Sequence, residues 1–302
     1  MDELLMMKII FLFIICFGGL IFGILPIYSR FFHKGLKWAY LGSCFSGGIF
    51  LSVAIADLLP EATKKSEEAI GSRFPLASVL VLTGYSLILF IEKLAFSSEH
   101  HHRHHHHSTV HMKKETTISM AIPQKKLEIN SISITLEDIK DNLIDDEPES
   151  PDIVESSNSI SGIILAIALS IHNLLEGIAV GLQSDEAGFI NIVTAVMFHH
   201  FFAAFALGIN IKDLDKKESL PLLSIFVLSE PIGVAIGIGM SSADVPILSA
   251  IFLSLCTGTF LYISCSEIIV EEFSHSVYKY QKYFSYLLGV VLFVSLITIF
   301  HE

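Results

Sequence analysis

Eight apolar blocks, each about 20 residues long, restrict the fold of this chain more than any other feature of its sequence. A block of that length is what an α-helix needs to cross the hydrocarbon core of a bilayer. Only 17% of the 302 residues are charged, which is low for a soluble domain. We therefore predict an all-α polytopic membrane protein with eight transmembrane helices. The predicted spans are Lys8–Ile27, Trp38–Leu59, Phe74–Leu94, Ile160–Leu182, Ile190–Ile211, Leu220–Met240, Val245–Val270 and Tyr283–Phe300.

Lysine and arginine residues are distributed unevenly among the short loops, and this distribution predicts the orientation of the chain. The loops after spans one, five and seven carry them, whereas the loops after spans four and six and the C-terminal tail carry none. The loop after span two is an exception, with Lys64, Lys65 and Arg73. Because basic residues favour the cytoplasmic side, we predict that both termini are extracellular or lumenal. The basic residues of the predicted cytoplasmic loops are Arg30, Lys34, Lys37, Lys212, Lys216, Lys217, Lys279 and Lys282.

One long polar segment, residues 97–157, divides the chain into residues 1–96 with spans one to three and residues 158–302 with spans four to eight. Its composition is rich in Ser, Glu, Asp and Lys and poor in aromatic residues, which predicts a disordered cytoplasmic loop. Since neutral imidazole binds ions such as zinc, we predict weak metal binding by the loop histidines, with a low-complexity spacer as the alternative. These histidines are His100, His101, His102, His104, His105, His106, His107 and His111.

Span four contains ionisable residues, which are costly inside a bilayer and are therefore candidates for function. His172 and Glu176 are four residues apart, so their side chains project from one helical face, with Asn173 adjacent. An imidazole and a carboxylate one helical turn apart can bind the same divalent cation. Gly177 and Gly181 form a small-residue surface that lets another helix approach closely.

Spans five and six add three more ionisable residues. His199 and His200 are consecutive, so they point about 100° apart on a helix and can serve two neighbouring positions. Glu230 precedes Pro231, which removes a backbone hydrogen bond and is tolerated where a helix lines a polar cavity. Placing so many ionisable groups on three successive spans for packing alone would be costly, which favours a path for metal ions.

Two further carboxylates lie close to the ends of predicted spans. Asp57 is in span two and Glu267 is in span seven. Both are candidate vestibule residues of a transport pathway. The alternative is that each side chain reaches the lipid headgroups without a role in transport.

These segments resemble the ZIP (zinc/iron-regulated transporter-like) family of metal transporters. The stretch from His172 to Gly177 resembles the histidine–carboxylate–glycine motif of the family's fourth span. The segment 43–51 leading to Asp57, and the segment 258–263 leading to Glu267, are similar to the branch of short plasma-membrane members. The resemblance covers all eight spans, and it implies the helical bundle of a ZIP transporter.

The resemblance also implies a metal site with two positions, built from residues of spans four to six. The first position would take His172, Glu176 and His199, and the second would take Asn173, His200 and Glu230. Two departures from the family pattern leave the number of bound ions, one or two, open. Ala203 stands where members with a fuller binuclear centre have a carboxylate or histidine, and His200 stands where short members frequently have lysine.

We predict a transporter of divalent metal ions into the cytoplasm that is not an enzyme and has no cofactor apart from its cargo. Imidazole and carboxylate ligands suit Zn²⁺, with Fe²⁺, Mn²⁺ and Cd²⁺ as alternatives. The resemblance implies alternating access, in which spans one, four, five and six move against spans two, three, seven and eight. An intramembrane zinc hydrolase and a cation-sensing receptor are the alternative functions, although the H-E-x-x-H motif of many zinc hydrolases is absent.

The expected partners are divalent metal ions and the lipid bilayer. Nucleic acid is excluded, because the net charge is −12 and no basic face is visible in the sequence. A homodimer is left open. The expected location is the plasma membrane, with an organelle membrane as the alternative.

Overall fold

The computed structural model describes residues 3–29, 32, 36–95, 151–240, 245–274 and 277–300. Within these ranges the chain forms eight long helices and no strand, which we number α1 to α8. Five are regular: α1 is Glu3–Tyr28, α4 is Pro151–Gly181, α5 is Glu186–Asn210, α6 is Lys216–Met240 and α8 is Lys279–Phe300. All eight are long and apolar enough to cross a membrane, which confirms the predicted fold class.

The other three helices each contain a π-helical segment. Helix α2 consists of Leu36–Ser52, the π-helical Val53–Leu58 and Leu59–Ile70. Helix α3 consists of Leu76–Phe90 and the π-helical Ile91–Ala95. Helix α7 consists of Val245–Tyr262, the π-helical Ile263–Ile269 and Val270–Ser274. Such insertions change the direction of side chains within a helix, and they are frequent at functional sites.

Helix α2 continues past Leu59, the predicted end of span two, to Ile70. Its last segment carries several lysines and glutamates, so the apolar block ends where the prediction placed it while the helix itself goes on. The segment packs against α7, and this contact holds the charged end of α2 at the rim of the bundle.

The helices pack as two groups of four. In the first group α4 packs along α6 and α1 packs along α5, while in the second α2 packs along α8 and α3 packs along α7. Contacts of α7 with α4, and of α2 with α5, join the groups. The core is therefore made where the two groups meet, and the outer faces of α1, α3 and α8 carry the exposed apolar side chains that suit contact with lipid.

Helices α4 and α6 approach one another through glycines. A Cβ atom on Gly177 would lie 2.3 Å from the carbonyl oxygen of Glu230, and one on Gly233 would lie 2.3 Å from that of Leu174. Gly181 makes the same kind of approach to Val234. The close approach predicted from Gly177 and Gly181 is confirmed, and its partner surface on α6 is also built from glycine.

A buried lysine joins α1 to the end of α4. The Nζ atom of Lys8 donates hydrogen bonds to the carbonyl oxygens of Gly181, at 2.8 Å, and Gln183, at 2.7 Å. The last carbonyl groups of a helix have no partner within the helix and carry partial negative charge, so they are good acceptors for an ammonium group. The pairing explains how Lys8 is accommodated with 5% of its surface exposed.

The histidine-rich part of the predicted loop, including His100 to His107 and His111, lies outside the described residues. Metal binding there and the division of the chain at residues 97–157 therefore stay predictions.

Candidate metal centre

Three buried side chains from α4 and α5 meet in the middle of the bundle. The Oε2 atom of Glu176 lies 3.0 Å from Nε2 of His199 and 3.9 Å from Nε2 of His172. One ligand atom from each residue can be chosen so that all three lie within 4.8 Å of one another. The structure therefore brings together the three residues predicted for the first position, and we call them the central cluster.

The distances from Glu176 to the two histidines are close to those between the ligands of a bound zinc ion. Zinc binds imidazole nitrogen and carboxylate oxygen at about 2.0–2.2 Å with tetrahedral geometry, so two of its ligand atoms lie about 3.3 Å apart. The separations of 3.0 and 3.9 Å between Glu176 and the two histidines lie on either side of that value. An ion could be accommodated here with only small side-chain adjustments.

Several buried polar atoms in this region lack a hydrogen-bond partner. They include Oε1 of Glu176 and Nδ1 of His199 in the central cluster. Burying a polar atom without a partner is costly, and unpartnered atoms in a native structure call for an explanation such as a bound ion. A cation held by the cluster would provide one for the free carboxylate oxygen of Glu176.

A second pair lies beside the central cluster, on α5 and α6. The Nδ1 atom of His200 is 2.7 Å from Oε2 of Glu230, but the two groups are not aligned as a hydrogen bond. The Nε2 atom of His200 and the Oε1 atom of Glu230 also lack hydrogen-bond partners. Asn173, predicted for the same position, donates from Nδ2 to the carbonyl oxygen of Phe226 at 3.2 Å.

A cavity of about 580 Å³ connects the central cluster with one end of the bundle. Glu176, which is 1% exposed, lines its inner part. The exposed or half-buried Asp57, Glu61 and Lys64 of α2 and Asn191 of α5 line its outer part. The cavity therefore places a ligand of the central cluster within reach of solution.

The two predicted vestibule residues lie in different places. Asp57 is in the π-helical segment of α2 and lines the cavity. Glu267 is buried in the π-helical segment of α7, in contact with Glu92 of α3. Because α2 and α3 run in opposite directions, Glu92 and Glu267 lie toward the other end of the bundle. Neither Asp57 nor Glu267 joins the central cluster.

Three residues around this site were not predicted from the sequence. Glu61 lies four residues after Asp57, in the part of α2 beyond the predicted end of span two, and it lines the same cavity. Cys256 and Thr259 of α7 surround the Nδ1 atom of His172. Nothing in the local sequence pairs α7 with His172, since the contact arises from the packing of distant spans.

The helices form an eight-helix membrane bundle, and a buried cluster of imidazole and carboxylate groups lies at the end of a cavity within it. These features are typical of membrane proteins that bind metal ions. Residues 5–297 match the family described as "ZIP Zinc transporter". The chain belongs to the ZIP family, and it is an integral membrane protein of a transporter family rather than an enzyme. The family predicted from the motifs around His172 and Glu176 is confirmed.

Two relatives named as zinc transporters are similar over most of their length, and a third relative matches over a shorter stretch. Zinc transporter ZIP1 of Takifugu rubripes is 26% identical over 322 residues, covering 98% of this chain and 99% of that protein. Zinc transporter ZIP3 of Homo sapiens is 26% identical over 289 residues, covering 88% of this chain and 87% of that protein. Protein zntD of Dictyostelium discoideum is 40% identical over 133 residues, covering 41% of this chain and 19% of that protein.

Proposed function

We propose that this protein carries divalent metal ions, with zinc as the main cargo, across a membrane into the cytoplasm. The observation that carries the proposal is the double position of Glu176, which belongs to the central cluster and also lines the cavity. An ion arriving through the cavity meets a carboxylate that already has two imidazole groups beside it. The names of the relatives, zinc transporter ZIP1 and ZIP3, support the same cargo.

The ligands of the central cluster favour a cargo ion over a permanently bound structural ion. Structural zinc sites are closed by four protein ligands, whereas sites with three ligands keep an open position. The described part of the chain places three such ligands together, His172, Glu176 and His199. A site of this kind binds an ion without enclosing it, as transport requires. Fe²⁺, Mn²⁺ and Cd²⁺ are secondary cargo candidates, because imidazole and carboxylate also bind them.

The pair His200 and Glu230, with Asn173, is proposed as the second position. It contributes a second buried carboxylate, so Glu176 and Glu230 together can offset the two positive charges of one ion. The atoms of His200 and Glu230 that lack hydrogen-bond partners are free to bind a metal ion at this position. Whether a second ion occupies it is decided by measuring how many zinc ions the purified protein binds.

Alternating access is the proposed mechanism, and the packing of the helices supports it. Helices α1, α4, α5 and α6 form one group, and α2, α3, α7 and α8 form the other. The cavity lies between α2 and α5, where the two groups meet. By the predicted orientation it opens to the extracellular or lumenal side. Movement of one group against the other would close this route and open one toward the cytoplasm.

Zinc flux into proteoliposomes tests the proposed function directly. We expect a zinc-sensitive dye inside the vesicles to report uptake that saturates with external zinc and is absent from protein-free vesicles. Protein carrying His172→Ala is the matched inactive control, because it lacks one ligand of the central cluster. Zinc binding by the purified protein without any flux would contradict transport and favour the cation-sensing receptor.

Neutralising Glu61 should weaken the capture of zinc from dilute solution. The Glu61 carboxylate lines the outer part of the cavity, and a negative charge there raises the local concentration of cations. We expect Glu61→Gln to raise the KM for zinc about threefold, with kcat unchanged, and the effect to shrink as ionic strength rises.

Glu67→Gln is the matched control for Glu61→Gln. It removes the same charge from the same segment of α2, but Glu67 is exposed and lies outside the lining of the cavity. Equal changes in KM for the two variants would mean that only the overall charge of this end matters. The cavity would then have no part in collecting the ion.

A further inference from the structure

Three atoms of α7 lie near the Nδ1 atom of His172, whereas the other ring nitrogen, Nε2, is the one near Glu176. The hydroxyl oxygen of Thr259 is 3.2 Å from Nδ1, and the carbonyl oxygen of Cys256 is 3.3 Å from it. The thiol sulfur of Cys256 is also 3.3 Å from Nδ1. His172 itself has no exposed surface, so these contacts are made without competition from bulk water.

We propose that Thr259 is a positioning residue, which holds His172 in the tautomer and orientation that bind the transported ion. The inference rests on the proposed function and names the residue of α7 on which the central cluster depends. A histidine that binds a metal through one ring nitrogen commonly donates the proton on its other nitrogen to a neighbouring oxygen. The Nε2 atom of His172 faces Glu176, and Nδ1 faces the oxygens of α7.

The hydrogen-bond donors around Nδ1 determine where the imidazole proton lies. The Thr259 hydroxyl donates its only proton to the Cys256 carbonyl oxygen at 2.8 Å, so toward His172 it acts as an acceptor. The Cys256 carbonyl oxygen is an acceptor as well. Two acceptors facing Nδ1 require the proton to be on Nδ1, which leaves the Nε2 lone pair directed toward Glu176 and available to an ion.

The thiol of Cys256 is the competing explanation, since an S–H group could donate to Nδ1 and place the proton on Nε2. A thiol is a weak donor, and that arrangement would set the Nδ1 lone pair against two oxygens. Phe260 holds the plane of the ring in place, with its own ring stacked on His172 at 4.0 Å between centroids and 11° between planes. The stacking fixes the ring plane, and the Thr259 hydroxyl, together with the Cys256 carbonyl oxygen, keeps the proton on Nδ1.

Thr259→Val tests the proposal, because valine keeps the shape of threonine and removes its hydroxyl. We expect the purified variant to bind zinc about tenfold more weakly and to show a correspondingly higher KM for zinc uptake. Thr259→Ser should restore both values, since serine returns the hydroxyl.

Thr257→Val is the matched control, because Thr257 is equally buried on α7 but donates to Leu253 of its own helix at 2.7 Å. Equal weakening of zinc binding in the Thr257 and Thr259 variants would overturn the proposal. In a His172→Gln background, Thr259→Val should weaken residual zinc binding no further, and an additional loss would also overturn it. If zinc binding follows this pattern but the parent protein shows no zinc flux, the role of Thr259 is supported. Only the proposed transport function is then contradicted.

Discussion

Replacing Glu176 with glutamine is expected to reduce saturable zinc uptake in proteoliposomes to the level of protein-free vesicles. The variant keeps the size of the side chain and removes its negative charge. Glu176 is the member of the central cluster that contacts both histidines, at 3.0 Å from His199 and 3.9 Å from His172. An amide oxygen is a much poorer partner for a dehydrated divalent cation than a carboxylate, because it cannot offset the charge.

Glu186→Gln is the control for this prediction. Glu186 is exposed in the first turn of α5, so the substitution makes the same chemical change away from the site. Uptake by this variant should equal that of the parent protein, and both variants should elute as the parent does in size-exclusion chromatography. Uptake above half of the parent's by well-folded Glu176→Gln protein would contradict the assignment of the central cluster as the transport site.

Hydropathy predicted the number of spans correctly because each span has to be apolar for about 20 residues, whatever its neighbours are. It could not predict the ends of the helices equally well. Helix α2 leaves the apolar block at Leu59 and continues to Ile70 as a charged segment, which is stabilised by its contact with α7. Hydropathy records where lipid contact ends, whereas a helix ends where its backbone loses hydrogen bonds and packing.

The predicted site shows the same division between local and distant information. Helical spacing places His172 and Glu176 on one face of α4, because that relation depends on a single helix. The approach of His199 depends on how α5 packs against α4, and it entered the prediction through resemblance to a family. The hydrogen bond that Thr259 accepts from His172 depends on the packing of α7, because the two residues are 87 positions apart in the chain.

The π-helical segments were beyond prediction for a related reason. Asp57 and Glu267 both lie in such segments, one in α2 and one in α7. A π-helical insertion shifts every later side chain around the helix axis, so a face inferred from regular helical spacing does not hold across it. The sequences Val53–Leu58 and Ile263–Ile269 contain neither glycine nor proline to mark the irregularity.

Replacing Gly233 with alanine should cause the second large loss, although Gly233 provides no ligand. The added Cβ atom would lie 2.3 Å from the carbonyl oxygen of Leu174 and 3.0 Å from the Cα atom of Gly177. Both are backbone atoms, which cannot rotate away as a side chain does. The methyl group would have to push α6 away from α4, at a cost of about 1–3 kcal/mol for an overpacked core.

Separating α4 from α6 changes both proposed ion positions, because α4 carries His172 and Glu176 and α6 carries Glu230. We expect Gly233→Ala to lower the yield of folded protein and to reduce zinc uptake per folded molecule to less than a tenth of the parent's. The reference variant is Gly239→Ala, because a Cβ atom on Gly239, in the same helix, has no neighbour within 4 Å. That variant should fold and transport as the parent does. Normal folding and uptake by Gly233→Ala would show that the α4–α6 contact can open by several tenths of an ångström without cost, and that close glycine packing is not what holds the ligands together.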